Sequence, residues 1–541
     1  MKDISSTGSF IDFTLENFIY VDKTEYIPKL VKLKRVFISR PRRFGKSLTL
    51  DTIATLFETG VEPYFKGTWI YDKWTEPTYP VLRLNFLNFD KNSLEKFNNK
   101  LNSKITEFAE LNHVTTFKEK EEAEDSIDHL LEQLRLENRQ IVILIDEYDC
   151  QMTANINNET LYKQFQEKIK SFYANIKDKF AIKFLGITGV TRLKDVAIFS
   201  VGSDINDITN DSAYSQMIGF TRDEIKKYYI DYLKLAASYE NNCTVDNVTE
   251  AQIESLLDRL AKNYDGYCFD EFYKKKVFST WSVNKFFKSV VSNKLVYFGE
   301  YWYDNGGLPS ILVNYLKTHE LNSFDYLNKE NPITIPFNDF MNPTALTTIN
   351  QNVLMCQTGY LTLRSALTSG DLTVDLGIPN GEIYKALNRL LANNIFKGNT
   401  DITDDYGRSL LEVGTVDDII NLFNSALNSV SYDNYPIVSE SSVQNMLKLY
   451  LLGAHQKVLS ELHEAKGRAD LVVNTDNRRI VFEFKYAKNE TEAKSKLLDA
   501  VEQIKTRDYG NIVPKKTELL RIAAVFNADP KVRAFTEYQK V

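Results

Sequence analysis

Apolar positions along this chain follow two rhythms. In the first part, short unbroken apolar runs alternate with stretches of helical period. RVFISR (35–40) is a buried-strand pattern, and SLTLDTIATLFET (47–59) after it has helical spacing. YPVLRLNFLNF (79–89), QIVILIDEYD (140–149) and FAIKFLGITGV (180–190) are further strand candidates. Between them lie the helical stretches SIDHLLEQLRLENR (126–139) and NETLYKQFQEKIKSFYANIKD (158–178). Strands alternating with helices predict a parallel sheet covered on both faces.

From about residue 219 to 430 the period is mostly helical. TRDEIKKYYIDYLKLA (221–236) opens with Thr221 and Glu224 spaced as a capping box. AQIESLLDRLAKNY (251–264) and GEIYKALNRLLANN (381–394) continue the pattern, and DITDDYGRSLLEVGTVDD (401–418) reads as an acidic connector. A helix (441–455), two strands joined across Asp476-Asn477 (469–475 and 478–486), a long helix (491–507) and a late strand (519–527) then form an α/β module. The expected organisation is α/β throughout: a parallel-sheet domain over 1–218, a helical lid over 219–310, a helical, winged-helix-like linker over 311–435, and an α/β module over 436–541.

Composition narrows this picture. A chain of 541 residues exceeds one ordinary core. Its 43% hydrophobic and 26% charged content is that of a globular protein. No apolar run approaches the roughly 18–20 residues of a membrane span, and the start has no apolar signal region. The four cysteines and five histidines are scattered without metal-ligand spacing, which fits a reducing cytoplasm. The net charge of -7 gives no global attraction for nucleic acid. From Pro436 onward, however, Lys and Arg outnumber Asp and Glu by 18 to 14, which permits local phosphate contact.

The first chemical signal is SRPRRFGKSLTL (39–50). Gly45, Lys46 and Ser47 read as the end of a phosphate-binding loop, with Lys46 for the β/γ-phosphates and Ser47 for Mg²⁺. Arg40 stands where the first glycine of such a loop belongs, so GKS alone reads equally as a basic surface loop. The apolar strand ending in Asp146-Glu147 supplies the other half. Asp146 would hold Mg²⁺ through water, and Glu147 would orient and deprotonate the attacking water. Thr188, at the end of another strand, could sense the γ-phosphate or be a plain strand-end hydroxyl.

The second signal is GRADLVVNTDNRRIVFEFKYAK (467–488). A hairpin would bring Asp470 and Glu483 to one end of a sheet, with Lys485 on the face of Glu483 by two-residue alternation. Two carboxylates can bind Mg²⁺ at a phosphodiester while the lysine orients water or phosphate. Glu461 and, more weakly, Glu440 are additional acids. The plain alternative is a hairpin with ordinary polar edge residues. Against it, Phe482 and Phe484 bracket Glu483 in a strand that otherwise reads as buried, where a charge needs a reason.

Both segments resemble known families. FIYVDKTEYIPKL, SRPRRFGKSLTLDTIATLFE, YFKGTWI, YPVLRLNF, LIDEYD, ITGVTRL, IGFTRDEI and NYDGYCF look, in order, like the predicted AAA-ATPase-like family of P-loop NTPases. An Arg-Pro-Arg-Arg-Phe segment before GK[ST] is typical there, so Arg40 is that family's version of the loop. The resemblance implies ATP as ligand, held by Phe44, Gly45, Lys46, Ser47 and Leu48 with Asp146 and Thr188, and makes Arg192 a further candidate; Arg42 and Arg43, also cofactor-binding candidates, could add charge at the phosphates or pack against another domain. The SVGSDIND segment departs from relatives at Asp204. The C-terminal hairpin resembles the PD-(D/E)XK nuclease superfamily, restriction-endonuclease-like in fold, with Ala469 in the usual proline position. That resemblance implies Mg²⁺ or Mn²⁺ at Glu461, Asp470 and Glu483, and a polar role for Gln503. Together they imply a cytoplasmic, bacterial, ATP-regulated nuclease acting on nucleic acid, DNA in preference to RNA, with a homo-oligomer left open and no membrane. Defence or mobile-element biology is an analogy. The other reading is a nucleotide-dependent switch or assembly ATPase whose C-terminal module binds nucleic acid or protein without cutting.

Overall fold

A computed structural model describes residues 1–541 except 177–179, 194–204, 303–309, 317–318, 320–322, 328, 369, 371, 397–404, 455–456, 465–466 and 510–517. Asp204 therefore lies outside the described residues. The chain divides into two compact units, residues 1–320 with 330–383, and residues 321–329 with 384–541. The segment expected as one linker over 311–435 is thus shared between the two.

The first unit is built on five parallel strands: β1 (Arg35–Ser39), β2 (Val81–Asn85), β3 (Ile141–Asp146), β4 (Ile182–Gly189) and β5 (Asn206–Asp207), in the order β2-β3-β4-β1-β5. Every residue of β3 is buried. Burying each Ile, Val or Leu there contributes about 1.5–3 kcal/mol, which is why the strand reads as one apolar run. The Lys46–Thr59 helix follows β1 and lays Phe57 against Phe184 of β4, with ring centroids 6.0 Å apart. Because β4 sits between β1 and β3, the C-terminal ends of all three meet at one edge, where ligands of such sheets are held.

The helices Arg222–Tyr228, Ile230–Asn241, Glu250–Tyr264 and Thr280–Asn293 bury a common core with Ile4, Ile19 and Val21. The Thr221–Glu224 capping box forms in both directions. The expected single helix over 221–236 is two, broken at Tyr229. A small antiparallel sheet was not foreseen: β6 (Ile333–Pro336), β7 (Thr362–Leu363) and β8 (Thr373–Gly377), in the order β6-β8-β7. Its strands are too short to show alternation in the sequence.

The second unit holds β9 (Lys457–Glu464), β10 (Gly467–Asn474), β11 (Arg478–Ala487), β12 (Glu518–Asn527) and β13 (Ala534–Lys540), in the order β13-β12-β11-β10-β9. β11 and β12 are parallel, and the Glu490–Arg507 helix makes the crossover between them, burying Ala500 and Ile504 against Val472, Val481 and Ala523. Phe482 and Phe484 stack with each other, and Phe423 of the Val416–Asn428 helix packs on Phe482. The acidic connector is partly helical, over Asp405–Val413. Among the described residues, no helix is long and apolar enough to cross a membrane.

One glycine tests how tightly the upper edge of the sheet is packed. A Cβ on Gly189 would lie 2.4 Å from the Tyr148 ring and 2.9 Å from Asp149 Oδ1. Gly189→Ala should therefore cost about 1–3 kcal/mol of stability, measured by denaturant unfolding. An unchanged midpoint would show that β4 and the segment after β3 are not packed as described.

Candidate nucleotide and nuclease sites

At the upper edge of the first sheet, three elements meet through one carboxylate. Ser47, in the first turn of the Lys46–Thr59 helix, donates its hydroxyl to Asp146 Oδ2 at 2.6 Å. Thr188, near the end of β4, donates its hydroxyl to Asp146 Oδ1. The Glu147 amide donates to the same Oδ1 at 3.0 Å. Gly45 precedes the helix at φ 104°, where a side chain would be strained, and the helix start carries no side-chain cap. Its first amides thus have no side-chain cap, and uncapped amides at a helix start attract anions.

Lys46 is almost fully buried. Its ammonium donates to the carbonyls of Arg40 (3.0 Å) and Pro41 (3.2 Å) and lies 3.9 Å from Glu147. Burial raises the Glu147 pKa, while Lys46 pulls it back down. Glu147 adopts φ 53°, uncommon for a residue with a side chain, and this turns the chain sharply after β3.

The loop arginines do not gather at this point. Arg40 is 1% exposed, donates to the carbonyls of Ser39 and Thr209, and stacks on Phe269. Burial lowers its pKa to about 9. Arg43 donates to the carbonyls of Tyr301 and Trp302 and lies over Trp281. Phe44 is buried among Tyr267, Phe269 and Trp302. Arg42 is half-buried, within the field of Glu147. Arg192 is paired with Asp207 and donates to the Met341 carbonyl. Leu48, beside Gly45, lines a cavity of about 180 Å³ with Tyr26, Thr49, Tyr229 and Trp281. The sequence reading missed this cavity, although the aromatic-rich FIYVDKTEYIPKL segment forms one wall. It also missed Asp149, buried and accepting both the amide and hydroxyl of Thr191 at 2.6 Å.

The second unit assembles another carboxylate pair. The β10–β11 ladder closes with Leu471 opposite Phe482. Just beyond it, Asp470 Oδ2 accepts the Phe484 amide at 2.8 Å. Glu483 is 0% exposed; Lys485 donates to its Oε1 at 2.8 Å, and its buried Oε2 has no hydrogen-bond partner among the described residues. Burial pushes the Glu483 carboxyl up to about 7, and the Asp470 charge adds to this. Burial also raises Asp470. For Lys485, burial opposes the charged form, but the bond to Glu483 and the surrounding acids hold its pKa above the ordinary lysine value.

Glu440, in the first turn of the Glu440–Gly453 helix, lies 3.5 Å from Lys485. Gln444, one turn on, hydrogen-bonds Asp470 and was missed; its spacing of four from Glu440 was the available signal. Glu461 falls between Ser460 and Leu462, the partners of Leu471 and Ala469, so its backbone lies beside Asp470; its side chain lies outside the described residues. Gln503 donates to the Tyr509 hydroxyl at 3.3 Å, and Arg507 to the same oxygen at 2.9 Å. An unpaired buried carboxylate oxygen beside a second carboxylate fits a divalent cation, because such an oxygen is costly to bury alone. Among the described residues, no group of three His, Cys, Asp or Glu side chains has metal-site geometry. Asp470 and Glu483 would supply two protein ligands to such an ion, a number common for Mg²⁺ at phosphates.

Comparison with known proteins matches both domains. Residues 5–199 match the family model described as predicted AAA-ATPase, and residues 438–535 match that of the PD-(D/E)XK nuclease superfamily. A relative from Azotobacter chroococcum mcd 1, titled "Uncharacterized protein in vnfD 5'region", is 26% identical and covers 95% of this chain and 94% of its own. A crystal structure of Cdc6p from Pyrobaculum aerophilum aligns over 69% of this chain and 92% of that one, at 12% identity and a TM-score of 0.22, too low to carry an argument. With the phosphate-loop edge in one unit and the carboxylate pair in the other, the chain joins a predicted AAA-ATPase domain to a domain of the PD-(D/E)XK nuclease superfamily.

Proposed function

We propose that the protein binds and hydrolyses ATP at the Lys46–Asp146 edge and cuts nucleic acid at Asp470 and Glu483, with the nucleotide state setting the cutting rate. The observation that carries this is a repeated chemistry: each domain holds a lysine beside two acidic residues on or just after sheet strands, with at least one of the acids raised in pKa by burial. We place the protein in the cytoplasm of a bacterium, with DNA favoured over RNA as substrate and defence or mobile-element biology as its setting.

At the first site, Lys46 exchanges the Arg40 and Pro41 carbonyls for phosphate oxygens. Ser47 and Asp146 would hold Mg²⁺, and Glu147 would take a proton from the attacking water. Burial makes Glu147 a better proton acceptor, and the Lys46 charge favours its ionised form. The cavity beside Leu48 and Trp281 takes the nucleoside.

At the second site, Asp470 and Glu483 would hold Mg²⁺ or Mn²⁺, with Glu461 a third candidate; such an ion would supply a water of lowered pKa and a positive charge beside the phosphodiester. Lys485 leaves Glu483 Oε1 to orient phosphate or water. Gln444 and the Phe484 amide keep Asp470 in place.

Glu147→Gln should bind ATP but hydrolyse it at least about a hundredfold more slowly. Lys46→Ala should bind ATP more weakly. Asp470→Ala should abolish cleavage and leave hydrolysis near normal. If nucleotide state governs cleavage, Glu147→Gln with ATP should also change the cutting rate several-fold, which needs only about 1 kcal/mol of population bias. Cleavage and ATPase assays on the same preparations test this. Identical cutting by wild type, Glu147→Gln and Lys46→Ala, with and without ATP, would contradict the regulatory part. No cutting by wild type on single- or double-stranded DNA or RNA would contradict the nuclease part.

A pH dependence follows from Glu483. Its pKa in the folded, metal-free protein is about 7, above the ordinary glutamate value, so folding favours the protonated form. That stability contribution is full below the ordinary value and is lost as pH rises through 7. Metal binding must expel this proton, so Mn²⁺ affinity without nucleotide should fall about tenfold per unit below pH 7 and level off above it. Calorimetric titration of wild type against Asp470→Ala checks this; a flat profile from pH 5.5 to 8 would contradict it.

A further inference from the structure

The parallel sheet has a second functional-looking edge. The phosphate loop and Thr188 occupy the C-terminal ends of β1 and β4. The N-terminal ends of the same strands open on a separate cavity of about 620 Å³. Five cations line it: Lys32, Lys34, Arg35, Lys73 and Lys183. The one lining carboxylate, Glu76, is taken by Lys183 at 2.6 Å. This basic lining belongs to a chain whose net charge is -7.

Helix electrostatics explains part of the set. Lys32 and Lys34 sit at the C-terminal end of the Ile27–Leu33 helix, where cations offset the dipole. That accounts for neither Lys73 nor Lys183, which come from other segments. Lys32 and Lys34 are exposed and form no ion pair among the described residues. Lys34 also holds φ 64°, a backbone state that glycine fills at lower cost.

Flat apolar surface accompanies the charge. Phe180, in the cavity wall, is 64% exposed. Trp74 lines the same cavity, and Lys73 lies 4.5 Å over the ring of Trp69, which is 42% exposed. Cations for phosphates beside exposed rings for bases are the two parts of a single-strand binding surface. A duplex stacks its bases on one another and has no use for the rings.

We propose that this basic cavity binds single-stranded nucleic acid. The site is separate from the carboxylates that would cut, and its binding needs neither metal nor nucleotide. Its failure can thus be told apart from failure of the nuclease reading. The test uses the full chain in EDTA with fluorescein-labelled oligo-dT and oligo-rU of about 20 nucleotides and a duplex of the same length. Lys32, Lys34 and Lys73 are exposed, so their joint change to Gln spares the core, and thermal unfolding monitors this. The triple variant should bind single strands at least about tenfold more weakly, with the slope of log affinity against log salt reduced by about 2. Ultraviolet cross-linking of the wild type, mapped by mass spectrometry, should mark peptides containing Trp74 or Phe180. Unchanged affinity and slope, or cross-links confined to residues 438–535, would overturn the proposal. An equal loss for the duplex would mark a general polyanion surface and overturn the single-strand assignment.

Discussion

The carboxylate of Asp146 is the constraint on which the upper edge of the parallel sheet depends. One oxygen takes the Ser47 hydroxyl, and the other takes Thr188 and the Glu147 amide. These bonds lock together the start of a helix, the end of β3 and the end of β4. They can form because β4 lies between β1 and β3. An order that took β4 away from β1 would separate Thr188 from the loop. Lys46, satisfied by the loop's own carbonyls, shows how a buried ammonium is kept without a ligand.

The second unit meets the same problem of burying charge with fewer partners. Glu483 has one oxygen on Lys485 and one with no hydrogen-bond partner among the described residues. Burial therefore favours its protonated form near neutral pH. Phe482 and Phe484, stacked on the opposite face, anchor the strand, and Glu483 between them is 0% exposed. The sheet that makes the acid costly to ionise would also make it a strong ligand for a cation.

Much of this was legible in the sequence, and the rest was hidden for identifiable reasons. Unbroken apolar runs gave β1, β3 and β4, because strands buried on both faces have no polar alternation to confuse them. The Thr221–Glu224 box and the turn at Asp476-Asn477 were local signals, independent of tertiary packing. Lys46, Ser47 and Asp146 stood out because the chemistry demands those residue types after a strand. The role of Arg43 was open in the sequence: its partners are carbonyls of Tyr301 and Trp302, more than 250 positions away. Arg40 reads as a surface cation yet is buried on Phe269, a long-range contact no local pattern reports. β9, β13 and the small β6-β8-β7 sheet were missed because their strands are short or of mixed polarity.

The central claim is that the Asp146 cluster is the ligand-free form of a Mg²⁺–nucleotide site. The most direct test is the affinity for a slowly hydrolysed ATP analogue, with Mg²⁺ and with EDTA, in wild type and Asp146→Asn. Asn keeps the size of the side chain and can still accept from one hydroxyl, but it removes the charge that would hold the cation. The account predicts that Mg²⁺ strengthens binding about tenfold or more in wild type, roughly 1.4 kcal/mol, and has little effect in Asp146→Asn. Equal Mg²⁺ enhancement in both proteins would contradict it.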